Sequence, residues 1–386
     1  DNVELLLAPL SEQHRIVAAI EQQFSRLDAA VTSLHHAKSK LKRQRAAILK
    51  AAVEGTLTAD GRAQHPASET AEQLLQRILH ERRAKWEAEQ LTKMLAKGVT
   101  PKDDSWKKAY KEPEPPDTED LPELPEGWMW ATIEQLADVG TGATPLRGRS
   151  EYYMGGKIPW VTSGALNADA VTSADEFITG KALIETNAKI FPSGTLLLAM
   201  YGEGKTRGKV SELKIDAATN QACAALVFRT LSMICQPYIK YFLLSNYYEI
   251  RRLSVGGVQP NLNLSIVKET LIPFPPLAEQ NQIVSEVEAR LSIIAQTELE
   301  VEANLKRAER LRQTILVEAF AGRLVAQEAG DEPASVLLER IRREREGMRK
   351  KGKNGNGRKA VSVPDEPVEI DVEAVEQVAL WEGVGG

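Results

Sequence analysis

Histidine, cysteine and long apolar runs are scarce in this chain, and each scarcity removes a class of function. The five histidines, His14, His35, His36, His65 and His80, all precede residue 97. The stretch 127–275 therefore has no imidazole for a catalytic triad, a zinc site or general-base work. Cys223 and Cys235 are the two cysteines and stand in no metal or redox spacing, which fits a reducing, cytoplasmic setting better than a disulfide scaffold. No apolar run is long enough to span a bilayer, so no membrane is expected as a partner. Charge is not one-sided either: the formal net charge of −5 argues against a general basic coat and leaves room for local basic patches. What remains, 386 residues of which 42% are hydrophobic, can bury a real core in two ordinary domains.

What the chain does have is an internal repeat. Pro9-Leu10-Ser11-Glu12-Gln13 returns as Pro276-Leu277-Ala278-Glu279-Gln280, at an offset of 267 positions that holds through Gly55 and Gly322 to Leu57 and Leu324. In each copy apolar residues recur in alternating steps of four and three. The first carries Ile16, Ile20, Phe24, Leu27, Val31, Leu34, Leu41, Ile48 and Ala52, and the second Ile283, Val287, Leu291, Ile294, Val301, Leu305, Ala308, Ile315 and Ala319. That spacing predicts two long helices, each opened by Pro and an acidic first turn and closed by a Gly suited to the left-handed cap. About 45 residues make a rod of roughly 70 Å. So narrow a stripe on so long a rod suits a partner helix, and each helix is the natural partner of the other. An antiparallel pairing sets Ile16 near Ala319 and Leu34 near Val301, puts Arg312 against Phe24, and brings Lys38, a break in the first stripe, beside Glu298, a break in the second.

The repeat extends on both sides. Leu5 and Leu7 match Ile272 and Phe274, so residues 1–8 are expected to be the last strand of an equivalent globular domain that is missing, and the chain is read as truncated. Pro66-Ala67-Ser68 matches Pro333-Ala334-Ser335 and is expected to open a second charged helix. After a small insertion Leu74, Leu75, Arg77 and Ile78 match Leu337, Leu338, Arg340 and Ile341. The resulting plan is a first helical region at 9–96, a Pro- and charge-rich linker at 97–126, a globular domain at 127–275, a second helical region at 276–346 and a flexible tail at 347–386. Trp106 and Tyr110 are the linker residues expected to find a surface. The globular domain is of the α+β class. Strands are expected at Ile158–Val161, Thr195–Met200, Ala222–Phe228 and Glu269–Phe274, and helices at Ile133–Ala137 and Pro237–Leu253.

Chemistry is sparse in that domain. Gly202-Glu203-Gly204-Lys205-Thr206 ends like a phosphate-binding loop and follows a strand, but such a loop must run into a helix and needs a downstream magnesium-binding acid. Arg207-Gly208-Lys209-Val210 is a poor helix start, and Ala222–Phe228 ends in Arg229. A turn carrying Tyr201, Lys205, Arg207 and Lys209 is better suited to a nucleic-acid backbone, the alternative being a solvated basic hairpin. Asn220, Gln221, Gln259, Asn261 and Asn263 can pair bidentately with adenine, and they are also ordinary turn formers. Thr141-Gly142-Ala143-Thr144-Pro145, followed by Arg147 and Arg149, is either a turn or a phosphate contact. No catalytic, metal or cofactor motif emerges, so no covalent chemistry is expected.

The duplicated Pro-Leu-x-Glu-Gln-x-x-Ile-Val helix starts, Leu124-Pro125-Glu126-Gly127-Trp128, the Thr-Gly-Ala-Thr-Pro turn, Ile158-Pro159-Trp160-Val161 and Asn220-Gln221 resemble the specificity subunit of type I restriction-modification systems. The resemblance covers about Val3 to Glu346. It implies DNA target-recognition domains alternating with long helices in an antiparallel coiled coil, each domain reading one half of a split site in double-stranded DNA. It also implies that chemistry belongs to partners: modification subunits that methylate adenine with S-adenosylmethionine, and a restriction subunit that uses ATP and Mg. This chain departs from the family plan in having one recognition domain between both helices, which admits a second copy of itself as a further partner. A coiled-coil scaffold whose globular domain binds protein, and an ATPase built on Lys205, are the alternatives.

Overall fold

The computed structural model describes residues 7–65, 67–202, 205–229, 232–252 and 262–353. Gln259, Asn261, most of the expected strand at 1–8 and the tail beyond Lys353 lie outside them. The chain divides into two compact units, one drawn from residues 1–30 and 308–386, the other from 31–307.

The elements, in chain order, begin with helices α1 (Leu10–Val53), α2 (Ala59–Gln64) and α3 (Ala71–Ala96). There follow β1 (Met129–Thr132), α4 (Ile133–Leu136), β2 (Asp138–Thr141), β3 (Ile158–Val161), β4 (Ala170–Val171), β5 (Glu176–Ile178), α5 (Gly180–Glu185) and β6 (Ile190–Phe191). Then come β7 (Leu196–Ala199), β8 (Val210–Leu213), β9 (Ala217–Thr219), β10 (Cys223–Val227), α6 (Gln236–Ser245), α7 (Tyr247–Arg252), α8 (Leu264–Glu269) and β11 (Leu271–Phe274). Helices α9 (Leu277–Phe320) and α10 (Ala334–Lys353) close the series. Among the described residues no helix is long and apolar enough to cross a membrane.

The repeat in sequence is a repeat in hydrogen bonds. Helices α1 and α9 are each 44 residues long. Gln13 N and Gln280 N each donate to the carbonyl of the opening proline at 2.9 Å. The side-chain amide of Gln13 donates back to Ala8 O at 2.7 Å, and that of Gln280 to Pro275 O at 2.8 Å. Both helices stop at a left-handed glycine, Gly55 at φ 72° and Gly322 at φ 68°, a conformation in which a Cβ would be strained.

Each unit shows the two long helices running antiparallel. In the 31–307 unit Lys38 pairs with Glu302 and Arg45 with Glu298, both at 3.1 Å. In the other unit the Arg312 guanidinium lies 4.7 Å from the centre of the Phe24 ring and bonds Asp28 at 2.7 Å. The expected Lys38–Glu298 contact is not made. The reason is geometric: side chains lean toward the N-terminus of their own helix, so in an antiparallel pair long charged groups meet partners further along than the residue level with them. Lys38 reaches Glu302, one turn on from Glu298, and Glu298 reaches Arg45, two turns on from Lys38. These groups are also about a third to a half exposed, so each pair contributes ~0.2–1 kcal/mol rather than acting as a buried register lock.

In the 31–307 unit three sheets build the globular domain. A five-stranded sheet has the order β2-β10-β7-β8-β4, a four-stranded sheet the order β5-β3-β9-β6, and β1 pairs with β11 alone. Strand β7 is buried throughout, as its unbroken Leu-Leu-Leu-Ala run requires. The main core joins Ala224, Leu226 and Leu198 to Tyr238 and Leu243 of α6, Leu74, Leu75 and Ile78 of α3, Ile48 and Ala52 of α1, and Ile283 and Val287 of α9. Polar bonds reinforce the seam with α3: Arg82 bonds Asp138 at 2.8 Å, and Arg229 bridges Asp138 to Glu89. Arg229, where a phosphate-loop protein would need an acid, is thus a structural tie. The linker is not free either. Trp106 stacks on Trp86 of α3 with ring centres 6.2 Å apart, and Tyr110 lies 5.2 Å from the same ring.

A buried carboxylate fixes the domain to the helices. Glu279, 7% exposed, accepts Thr58 Oγ1 at 2.7 Å and Trp128 Nε1 at 2.8 Å, with Arg62 at 3.5 Å. Gln280 beside it accepts Cys235 N at 2.9 Å.

Local departures from the sequence reading have local causes. The expected helix Pro237–Leu253 is broken at Asn246 into α6 and α7. Glu269 ends α8, leaving β11 to start at Leu271. Helix α3 starts at Ala71 rather than beside Pro66, because Thr70 and Gln73 form a reciprocal capping box. Helix α10 runs to Lys353, past the expected tail boundary.

Two expected outcomes follow. A Cβ on Gly55 would lie 2.6 Å from Pro125 Cγ, whereas one on Gly322 meets only the Gln327 side chain at 3.8 Å. In urea titrations Gly322→Ala should therefore cost ~1–2 kcal/mol for the left-handed backbone, and Gly55→Ala distinctly more. Equal losses would show that the Pro125 and Trp128 packing is misplaced. Arg45→Glu should lower the urea midpoint slightly, by ~1 kcal/mol or less, and Arg45→Glu with Glu298→Arg should recover it. A double swap no better than the single would refute the pairing.

Candidate nucleic-acid interface

The strand order decides where the loops go. Strand β10 is antiparallel to β2 and β7, and β7 to β8, with Ala224 opposite Thr141, Cys223 opposite Ala199, and Val210 opposite Leu198. The end of β2, the start of β10, the end of β7 and the start of β8 therefore share one rim of the five-stranded sheet. Segments 142–149, 220–222 and 200–209 all leave from that rim. Leu262 N donates to Met200 O at 3.2 Å, which brings Asn263 to the same neighbourhood.

Within the rim the Thr-Gly-Ala-Thr-Pro turn and the Asn220-Gln221 pair form one structure. Thr141 Oγ1 donates to Cys223 O at 2.9 Å, and Thr144 Oγ1 donates to Gln221 Oε1. Gly142 admits no side chain, since a Cβ there would stand 1.8 Å from Thr219 O. Asn220 Oδ1 accepts Ala222 N at 3.1 Å. The amide oxygens of Asn220 and Gln221 are thus engaged in the turn, and their NH2 groups are what they can offer outward. Asn263 Oδ1 caps α8 by accepting Ile266 N at 2.9 Å.

The basic loop is held by groups that sequence reading missed. Tyr247 OH donates to Lys205 O at 2.7 Å, and Arg251 Nη1 donates to Arg207 O at 2.6 Å. The Arg251 guanidinium also lies 5.2 Å from the Tyr247 ring centre. The signal was a Tyr and an Arg four residues apart, which share a helix face, but only the fold shows what they face. Lys205 is exposed, Arg207 and Lys209 half-buried. Among the described residues Lys205 and Lys209 have no salt-bridge partner. After Thr206 the chain enters strand β8, so the loop lacks the helix N-terminus that a phosphate-binding loop needs.

Arg147 and Arg149 pair with acidic groups of the domain while staying about half exposed. Arg147 forms a bidentate pair with Glu176, and its guanidinium lies 4.8 Å from the Trp160 ring centre and 5.0 Å from that of Tyr153. That hydrogen-bonded guanidinium holds the Glu176 carboxyl below the usual carboxylate range. Arg149 bonds Tyr152 OH and reaches Glu185 at 3.2 Å. Both arginines tie the Thr144 loop to β5 and α5. Burial pushes the Cys223 thiol up to about 12, so it stays a protonated, inert filler at neutral pH. Among the described residues no cluster of three or more His, Cys, Asp or Glu is placed to hold a metal ion.

Residues 125–306 match the family model described as the type I restriction modification DNA specificity domain. The chain is 30% identical over 187 residues to the MjaIX type I restriction enzyme specificity subunit of Methanocaldococcus jannaschii, covering 47% of this chain and 40% of that protein. It is 25% identical over 364 residues to the EcoDI specificity subunit of Escherichia coli, covering 89% of this chain and 69% of that one. A crystal structure of the HsdS subunit from Thermoanaerobacter tengcongensis aligns with 82% of this chain and 60% of its own at 20% identity, with a TM-score of 0.47. The chain thus spans between 40% and 69% of the length of these two curated relatives. Through residues 125–306, this chain is similar to the specificity subunits of type I restriction-modification systems.

Proposed function

We propose that the rim of the five-stranded sheet reads one half of a split site in double-stranded DNA, and that the chain directs partner subunits to it without catalysing a reaction itself. The observation that carries this is the convergence of segments scattered between residues 141 and 263 on one rim that bears the basic loop. Lys205, Arg207 and Lys209 serve as phosphate contacts that position the duplex. Thr144, Asn220 and Gln221 face the bases. With their amide oxygens engaged, Asn220 and Gln221 present N–H donors, which suit purine N7 and the carbonyl acceptors of the major groove. Tyr201 and Asn263 flank them, and Gln259 and Asn261 belong to the same stretch of sequence. Modification subunits that carry S-adenosylmethionine, and a restriction subunit using ATP and Mg, would supply the chemistry in the cytoplasm.

The test is a salt titration of duplex binding by the full chain with its modification subunit, followed by fluorescence anisotropy. Affinity should fall steeply with salt. Lys205→Ala should weaken binding to all duplexes alike and reduce the log–log slope by about one, whereas Gln221→Ala should relax preference at particular positions by ~1–3 kcal/mol. Binding indifferent to salt and to both substitutions would instead favour a protein scaffold. The chain alone should neither transfer methyl groups from S-adenosylmethionine nor hydrolyse ATP. ATP turnover that Lys205→Ala abolishes would reverse the reading of the basic loop.

A further inference from the structure

We propose that Leu146, in the loop between β2 and β3, reads a thymine in the major groove by contact with its 5-methyl group. The inference rests on the DNA-reading role proposed above and adds to it the base that this loop selects. It starts from the way the loop is held. Thr144 Oγ1 donates to Gln221 Oε1, Trp160 Nε1 donates to Ala143 O at 3.1 Å, and Tyr153 OH donates to Pro145 O. On the other side Arg149 N closes a turn onto Leu146 O at 3.0 Å, and the Arg147 guanidinium is paired with Glu176 and lies over the Trp160 and Tyr153 rings. The chain on both sides of Leu146 is thus tied back to the domain, while Leu146 itself is 67% exposed.

One exposed leucine is ordinary on a protein surface, but this one has apolar company. Beside Arg147 an open cleft of about 460 Å³ is lined by Tyr153, Met154 and Phe177, and the last two are 79% and 42% exposed. Nor does the spot suit a phosphate. The charge of Arg147 is matched by Glu176, and a carboxylate at that place repels phosphate oxygens. The partner that fits is an apolar feature on the edge of a base.

The neighbouring amides say which groove. Gln221, whose oxygen is held by the Thr144 hydroxyl, is suited through its N–H donors to the major groove. Leu146 follows Thr144 by two residues, so their backbones lie within ~7 Å, or about two base-pair steps. In that groove the apolar mark on a base edge is the thymine methyl group. A leucine fixed beside a base-reading amide is placed to cover it, and burial of the methyl and of the Leu146 tip then favours thymine over a base that lacks it.

Random-sequence duplexes selected on the full chain with its modification subunit give the preferred site. Each thymine in that site is then replaced, one at a time, by deoxyuridine, which differs only in lacking the methyl group. Anisotropy should show a thymine, within about three base pairs of the position whose preference Gln221→Ala relaxes, at which the replacement weakens binding about fourfold, the contribution of one buried methyl group. In Leu146→Ala the ratio of the two affinities at that position should fall to about one, and in Leu146→Met, which keeps an apolar tip, it should persist. Comparing two duplexes on one protein makes this ratio independent of how much of a variant is folded. Binding with no preferred sequence and no response to salt would remove the DNA-reading role and this inference with it. Three other results would overturn the thymine contact alone and leave the reading rim standing: a preferred site with no such thymine, a methyl effect that survives Leu146→Ala, or loss of affinity in Leu146→Ala with no methyl effect at any position, as an apolar wedge between base steps would give.

Discussion

The 31–307 unit depends on one buried carboxylate. Glu279 sits in the first turn of α9, where the helix end already favours a negative charge. Within hydrogen-bond reach it takes a hydroxyl from the segment after α1 and an indole N–H from the entrance to the globular domain, with the Arg62 guanidinium alongside. A carboxylate shut away from water is tolerated only when its oxygens are satisfied. The end of α1, the start of α9 and the first turn of the domain are therefore held together by a single group whose bonds are lost if any of the three shifts. Apolar burial supplies the greater part of the stability at this junction, but it is non-directional. The Glu279 contacts, with Gln280 on Cys235, set the orientation.

Orientation matters for the proposed DNA-reading role of the rim. A surface that reads a polymer needs donors at fixed positions, and the sheet provides them. Antiparallel pairing of β10 with both β2 and β7 is what places the Thr144 loop, the Asn220-Gln221 turn and the basic loop side by side. Further bonds then stiffen each loop from behind: the Thr144 hydroxyl on Gln221, and Tyr247 and Arg251 on the backbone of the basic loop. Stiff loops lose less conformational freedom when they bind.

Much of this was legible in the sequence, and the reasons are specific. The long helices could be read because a duplicated apolar period fixes both their length and their faces. Their Gly caps could be read because Gly55 and Gly322 follow the last apolar position. Ile158–Val161 was legible because its run is β-branched and aromatic. Strands of two or three residues such as β4, β5 and β6 carry too few residues for any period to show. The break at Asn246 inside an apolar helical pattern was hidden for a similar reason, since one polar residue there is also compatible with a continuous helix. Lys38 and Glu298 were correctly seen as breaks in their stripes, but their partners depend on how long side chains lean in three dimensions.

By itself the sequence determined the two matched helices, their antiparallel partnership, the α+β class of the domain and the segments rich in amides and basic side chains. These are properties of periodicity, composition and repetition, which act along the chain. Only the tertiary structure decided which of those segments meet, that Arg147 and Arg149 pair with Glu176 and Glu185, and that Glu279 is satisfied while, among the described residues, its repeat Glu12 keeps an unpaired oxygen. Such facts depend on strand order and on donors brought from more than 100 positions away, as Trp128 is to Glu279. No local pattern encodes them, because the hydrogen bond that fixes each one exists only once the chain has closed on itself.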